Sequence, residues 1–83
     1  MDEAITFTQT AFKHNITKEA IYQAVKDFLY DESVEGYVNK YLLLGFDGNA
    51  NLLEIMYNRI DEDTINVFHA MPCRPRWREL ANT

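Results

Sequence analysis

The chain of 83 residues contains only one cysteine, two prolines and three glycines. A lone cysteine, Cys73, cannot form a disulfide framework or a multi-cysteine metal site within one chain. The scarcity of proline and glycine leaves no flexible linker, so we expect a single domain over residues 1–83. The longest apolar run, residues 41–46, is far too short to span a membrane.

Two further absences concern location and charge. The N-terminal segment MDEAITFTQT lacks the basic region and long apolar stretch of a signal peptide, so we expect a cytoplasmic protein. The net charge is −5, whereas a dedicated nucleic-acid binder is usually basic over its whole domain. Bases are concentrated near the end: residues 69–83 hold three arginines and one acid, against five bases and twelve acids in residues 1–68. An anion would therefore have to bind at this local patch.

Hydrophobic residues make up 47% of the chain, and their spacing predicts its helices. The segment ITKEAIYQAVKDFLY carries apolar residues at helical spacing, namely Ile21, Ala24, Val25, Phe28 and Leu29. This spacing predicts a helix over residues 18–30, with Thr17 as its N-cap. The preceding AITFTQTAFKHN is ambiguous. Ile5 and Phe7 alternate as in a strand, whereas one helical face would hold Ala4, Phe7, Thr8, Ala11 and Phe12. We favour a short helix that ends at Lys13-His14.

The second half of the chain predicts strands. VNKYLLLGF, LLEIMYNRI and INVFHAM are separated by the turn clusters DGNAN and DEDT. Alternation in the last strand places Ile65, Val67 and His69 on one face, and Pro72 ends that strand. RPRWRELAN then forms a short helix with Pro75 in its first turn.

These elements predict an α+β domain with two N-terminal helices, a three-stranded antiparallel β-meander and a short C-terminal helix. The meander has four strands if residues near Val34 add a short edge strand. We expect the helices to cover one face of the sheet.

Three segments, FKHNITKEAI, LLLGFDGNANLLEI and VFHAMPCRPRW, resemble a known family in this order. They are similar to the K-H-G-[IV]-[ST], L-G-x-[ND]-x-x-G-N-L-L-E-[IV] and [IV]-H-A-M-x-x-R-P segments of small bacterial relatives of the BrnT-type toxins. The fold of those toxins resembles that of the RelE ribonuclease toxins. The resemblance covers roughly residues 10–80 and implies a toxin, paired with an antitoxin, that cleaves RNA without a metal. The residues that match the segments are Lys13, His14, Glu54, His69 and Arg74.

Metal-free RNA cleavage requires a base for the 2′-hydroxyl proton, cations for the charge that builds on the phosphate, and an acid for the leaving oxygen. Imidazole titrates near neutral pH, and guanidinium binds phosphate through two parallel hydrogen bonds. We therefore predict His69, Arg74 and Arg78 as catalytic residues. The predicted substrate- or partner-binding residues are Lys13, His14, Arg76 and Trp77. We expect no metal ligands and no cofactor.

A non-catalytic role is the second hypothesis. His69 can instead be a strand residue hydrogen-bonded within the sheet, and Trp77 can anchor the terminal helix to the core. Met71 stands where the BrnT toxins carry an arginine that ends the last strand, and this loses one phosphate-directed donor. The protein would then be an interaction module, or a toxin that retains only antitoxin binding. The expected partners are an antitoxin-like or other acidic protein, RNA, or a second copy paired through a sheet edge, and no membrane.

Overall fold

A five-stranded sheet runs through the computed structural model, which describes residues 4–82, and one helix lies against each face. The strands lie in the order β1-β5-β4-β3-β2, with β1 parallel to β5 and all other neighbours antiparallel. A 3₁₀ helix, Gln9–Phe12, follows β1. The other elements are β1 (Ala4–Phe7), α1 (Lys18–Lys26), β2 (Phe28–Ser33), β3 (Tyr41–Phe46), β4 (Leu52–Asp61), β5 (Thr64–Pro72) and α2 (Pro75–Ala81). The fold is α+β.

The predicted pair of N-terminal helices is wrong. Residues 4–7 form β1, which pairs with the start of β5, and only a single 3₁₀ turn follows it. The period-two alternation of Ile5 and Phe7 was therefore the correct signal, and both side chains pack against the core. Asn15 adopts the left-handed conformation, which asparagine tolerates, with φ of 63°. The long-range pairing with β5, which a local pattern cannot reveal, decided between the two structures.

Helix α1 begins where predicted and ends four residues early. The Thr17 side chain accepts a hydrogen bond from the Ala20 amide at 3.1 Å, which confirms the N-cap. After Lys26 the chain turns at Asp27 and forms β2, an edge strand that pairs with β3. Phe28 and Leu29, expected on the buried side of the helix, are instead 41% and 49% exposed.

The two helices cover opposite faces of the sheet, so the predicted single helical layer is also wrong. The predicted meander is only part of the sheet: β2, β3, β4 and β5 are antiparallel neighbours in chain order, and β1 adds a fifth, parallel strand. On the first face, α1 packs through Ile21, Ala24 and Val25 over Leu43 and Ile55. On the second face, α2 packs against alternate residues of the same strands, with Trp77 and Leu80 close to Leu42, Leu44 and Met56. β3 is buried on both sides, because its residues 42–45 are all buried.

Helix α1 approaches β3 closely at Gly45. A Cβ atom added there would lie 2.2 Å from the carbonyl oxygen of Ala24, so only glycine fits this contact. None of the helices within residues 4–82 is long and apolar enough to cross a membrane.

Candidate functional site

A β-bulge in β5 determines where His69 lies. Met56 pairs with His69, but the next residue, Tyr57, pairs with Val67, so Phe68 is an extra residue in β5. Val67 belongs to the α1-side core, whereas His69 contacts Glu54, which alternates with Ile55 on β4. The prediction that His69 shares a face with Ile65 and Val67 is therefore wrong, because the bulge reverses the alternation.

Glu54 lies at the centre of the site and is completely buried. Its Oε2 atom is 2.9 Å from Nε2 of His69 and accepts a 2.6 Å hydrogen bond from Nη2 of Arg74. Its Oε1 atom accepts from the Arg74 amide at 2.9 Å and from Nε at 3.0 Å. Both carboxylate oxygens are thus satisfied, as a buried charge requires. We call these three residues the Glu54 cluster.

The electrostatics of the Glu54 cluster keep the carboxylate ionised. Burial by itself raises the pKa of Glu54, but hydrogen bonds from the Arg74 side chain, the Arg74 amide and His69 outweigh it, and the net pKa is lowered. The same contact with Glu54 raises the pKa of Arg74. An ionised Glu54 only accepts hydrogen bonds, so Nε2 of His69 must carry the proton. In the neutral ring, Nδ1 then holds the free lone pair.

A second imidazole lies beside this cluster. The ring of His14 is centred 5.8 Å from the ring of His69, with the planes at 76°. The 3₁₀ helix brings it there: the Thr8 amide donates to the Val67 carbonyl at 3.0 Å, and Thr10 Oγ1 donates to the Phe68 carbonyl at 2.7 Å. The segment that carries His14 is thus tied to the bulge that carries His69. His14 is exposed, and 22% of the His69 side chain is accessible.

The predicted arginines separate in space. Arg74 turns back onto Glu54, which uses its Nε and Nη2 atoms and leaves Nη1 without a hydrogen bond to residues 4–82. Arg78 donates from Nε to the Cys73 carbonyl at 3.5 Å and lines a cavity of about 420 Å³ with Phe46, Ala50, Asn51, Leu52, Pro72, Cys73 and Asn82. Arg76 stacks on Trp77 at 4.4 Å. Lys13, next to His14, is exposed.

The thiol of Cys73 is not set up as a nucleophile. It is 4% exposed, and burial together with the charge of Glu54 raises its pKa. Within residues 4–82, no group of three or more His, Cys, Asp or Glu side chains is arranged to hold a metal ion.

Reasoning from residue types alone missed Glu54, which entered only through the family resemblance, and it also missed the contact between His14 and His69. One signal for Glu54 was present: it is an acid between Leu52 and Met56 on an apolar strand, where a buried carboxylate demands partners. Nothing local pairs His14 with His69, because their contact depends on the bulge.

Comparison with known proteins adds no relative. The chain matches no family model, no curated protein and no solved structure. The resemblance to BrnT-type toxins therefore stays a prediction, and the functional argument rests on the geometry of the site.

Proposed function

We propose that the protein is a toxin-like, metal-independent endoribonuclease whose acid–base pair is His14 and His69. The observation that most supports this proposal is the 5.8 Å separation of the two rings, one of them fixed by a buried carboxylate. Two imidazoles at this distance can reach two atoms of one phosphodiester. Of the residues predicted as catalytic, His69 keeps that role.

In the proposed reaction, one imidazole takes the proton of the 2′-hydroxyl, whose oxygen attacks phosphorus, and the other protonates the leaving 5′-oxygen. The products are a 2′,3′-cyclic phosphate and a free 5′-hydroxyl. Nδ1 of His69, which carries the lone pair when the ring is neutral, is the base of this scheme, and His14 is the acid. Glu54 fixes the tautomer and orientation of His69, as a carboxylate does in other imidazole-based sites.

The other predicted residues take supporting roles. Arg74 is a positioning residue, because two of its three guanidinium nitrogens hold Glu54. Lys13 is the nearest cation to His14 along the chain and is exposed to the solution, so it is suited to bind a phosphate. An antitoxin-like partner and a cytoplasmic location agree with this role.

The proposal is tested with a fluorogenic RNA oligonucleotide in excess EDTA. We expect cleavage by the wild type, a loss of about 10²–10⁴-fold in His14→Ala and in His69→Ala, and a bell-shaped dependence on pH. Arg74→Lys should retain part of the activity, since it keeps the charge but loses the fork that holds Glu54. Lys26→Ala, an exposed cation on α1, is the matched control.

Equal survival of the RNA with the wild type and with a His14→Ala, His69→Ala double variant would contradict the proposal. Products that end in a 2′-hydroxyl and 3′-phosphate without a cyclic intermediate would contradict the assigned chemistry. A circular dichroism spectrum of each variant separates loss of activity from loss of fold.

The second candidate function, docking of an acidic partner through α2, is favoured by one observation. Arg76 is exposed, stacks on Trp77 and forms no ion pair with any residue from 4 to 82. Such an arginine contributes little to folding and remains available to a carboxylate. If Arg76→Glu abolishes co-purification with the protein encoded by the adjacent reading frame, and His14→Ala does not, docking by α2 is supported. If both variants still co-purify with that protein, docking by α2 is contradicted.

A further inference from the structure

The outer edge of β2 is an edge of the sheet. β2 is the last strand in the order, and the strand that pairs with it within residues 4–82 is β3. Two large apolar side chains, Phe28 and Leu29, lie exposed at its start. Edges of this kind bind other extended segments by strand addition.

A cavity of about 360 Å³ lies beside this edge, between β2 and α2. It is lined mainly by apolar and aromatic side chains, those of Tyr30, Val34, Leu42, Trp77 and Leu80, together with Ser33 and Glu35. The indole nitrogen of Trp77 is buried and has no hydrogen-bond partner among residues 4–82. A buried donor without an acceptor is costly, so Trp77 indicates a place where a carbonyl oxygen would bind favourably.

The charge around the edge selects the partner. Residues 27–39 contain four acids and no lysine or arginine, and Asp27, Glu32 and Glu35 are exposed. A second copy of β2 fits poorly, because antiparallel self-pairing would bring the Asp31-Glu32 segment of each copy against that of the other. A basic segment meets no such repulsion from β2 itself, and the cation nearest to the cavity along α2 is Arg76, which stacks on Trp77 at 4.4 Å.

We propose that the β2 edge binds a basic, extended segment of a partner protein by strand addition. The segment's main chain continues the sheet, one apolar side chain enters the cavity, and a backbone carbonyl accepts the Trp77 N–H. Its lysine or arginine side chains face Asp27, Glu32 and Glu35. This site is separate from the imidazole pair, which is associated with β5 at the other side of the sheet, and does not depend on RNA cleavage.

The test uses three fluorescein-labelled peptides with the full chain. Lys-Val-Lys-Phe-Lys-Val-Lys is the strand-forming basic probe. Lys-Pro-Lys-Phe-Lys-Pro-Lys keeps its charge but lacks two of the ladder donors, because proline has no backbone N–H, and Glu-Val-Glu-Phe-Glu-Val-Glu reverses the charge. We expect anisotropy to show binding of the first probe, at least about tenfold weaker binding of the second, and none of the third. Amide NMR shifts should be largest in residues 28–34 and at the Trp77 indole.

Variants sharpen the result. Trp77→Phe keeps an aromatic ring and removes the N–H. The double variant Glu32→Gln, Glu35→Gln removes two charges. Each variant should bind the first probe about fivefold more weakly, or worse, than the wild type does. Glu62→Gln, an exposed acid in the β4–β5 turn, is the control and should not change binding.

Equal binding of both basic peptides would overturn strand addition in favour of charge attraction alone. Absence of binding by all three peptides, or shifts confined to residues outside β2 and α2, would also overturn the proposal. Light scattering that shows a dimer with the β2 amides already protected would assign the edge to a second copy instead. Since the peptide series uses the wild type, a Trp77→Phe variant that fails to fold does not affect the conclusion.

Discussion

The two faces of the sheet are built from the same strands but differ in chemistry. On the α1 face, β4 presents Leu53, Ile55 and Tyr57 to an apolar core. On the α2 face it presents Leu52, Glu54 and Met56, and the middle residue is a fully buried carboxylate. The Trp77 indole nitrogen, which has no hydrogen-bond partner among residues 4–82, also lies on the α2 side, and two cavities of about 420 and 360 Å³ involve residues of that side.

This difference suggests that one face of this small domain stabilises the fold and the other carries the functional sites. A chain of this size has little core to spare, and the larger of the two buried clusters of residues 4–82 lies on the α1 face. The α2 face holds a buried charge and a donor that nothing in residues 4–82 satisfies, and stability alone does not favour either feature. Such features are kept where they serve a site, and we expect mutations on the two faces to have different consequences.

Truncation of adjacent leucines is the strongest test of this comparison. Leu43 and Leu42 are both buried, at 2% and 3% exposed, but Leu43 faces the α1 core and Leu42 lines the cavity beside Trp77. We expect Leu43→Ala to lower the free energy of unfolding by about 3–5 kcal/mol and Leu42→Ala by about 2 kcal/mol, because Leu42 borders a cavity. Urea denaturation measures both, and equal losses would contradict the division between faces.

Glu54→Gln tests the polar face. The variant keeps the size of the side chain but loses the charge that holds Arg74, so we expect a loss of about 1–3 kcal/mol at neutral pH. The folded-state pKa of Glu54 is depressed, so its contribution is complete above the ordinary value of 4.5 and is lost as the pH falls through the lower folded value. The stability gap between wild type and variant should therefore narrow below about pH 4.5.

Denaturant unfolding at a series of pH values measures this gap. Asp31→Asn is an unsuitable control, because Asp31 is bonded to Tyr57, whereas Glu62→Gln changes an exposed acid and should leave the pH profile unaltered. A gap between Glu54→Gln and wild type that stays constant down to acid pH would mean that the charge of Glu54 does not stabilise the fold.

The elements predicted from the sequence were those set by local patterns. Thr17 fixed the start of α1, alternation gave β4, and Pro75 and Trp77 placed α2. The errors fall where a distant strand overrides the local pattern. Residues 28–33 continue the helical spacing of α1, yet pairing with β3 makes them a strand, and β1 forms because β5 lies beside it.

The site was predictable only in part. Its individual residues stand out by type, and His69 and Arg74 are in fact close, because both contact Glu54. Their arrangement was hidden by one extra residue, Phe68, which reverses the alternation of β5. A bulge leaves no clear signal in a single sequence, so the face of His69 and its contact with His14 required the structure.

The smallest expected effect concerns the link between the stable face and the β2 edge. The Tyr57 hydroxyl, on the α1 face, donates a 2.6 Å hydrogen bond to Asp31 of β2, and burial together with this bond raises the pKa of Tyr57. Tyr57→Phe should therefore lower the free energy of unfolding by about 0.5–1.5 kcal/mol.

Amide hydrogen exchange should show faster opening in β2 than in β4, because β2 has a neighbouring strand on one side only. Tyr41→Phe is the matched control, since Tyr41 stacks on Tyr57 at 5.0 Å and its hydroxyl makes no hydrogen bond to residues 4–82. If the two variants change β2 exchange equally, the Tyr57–Asp31 bond does not hold the edge strand to the core.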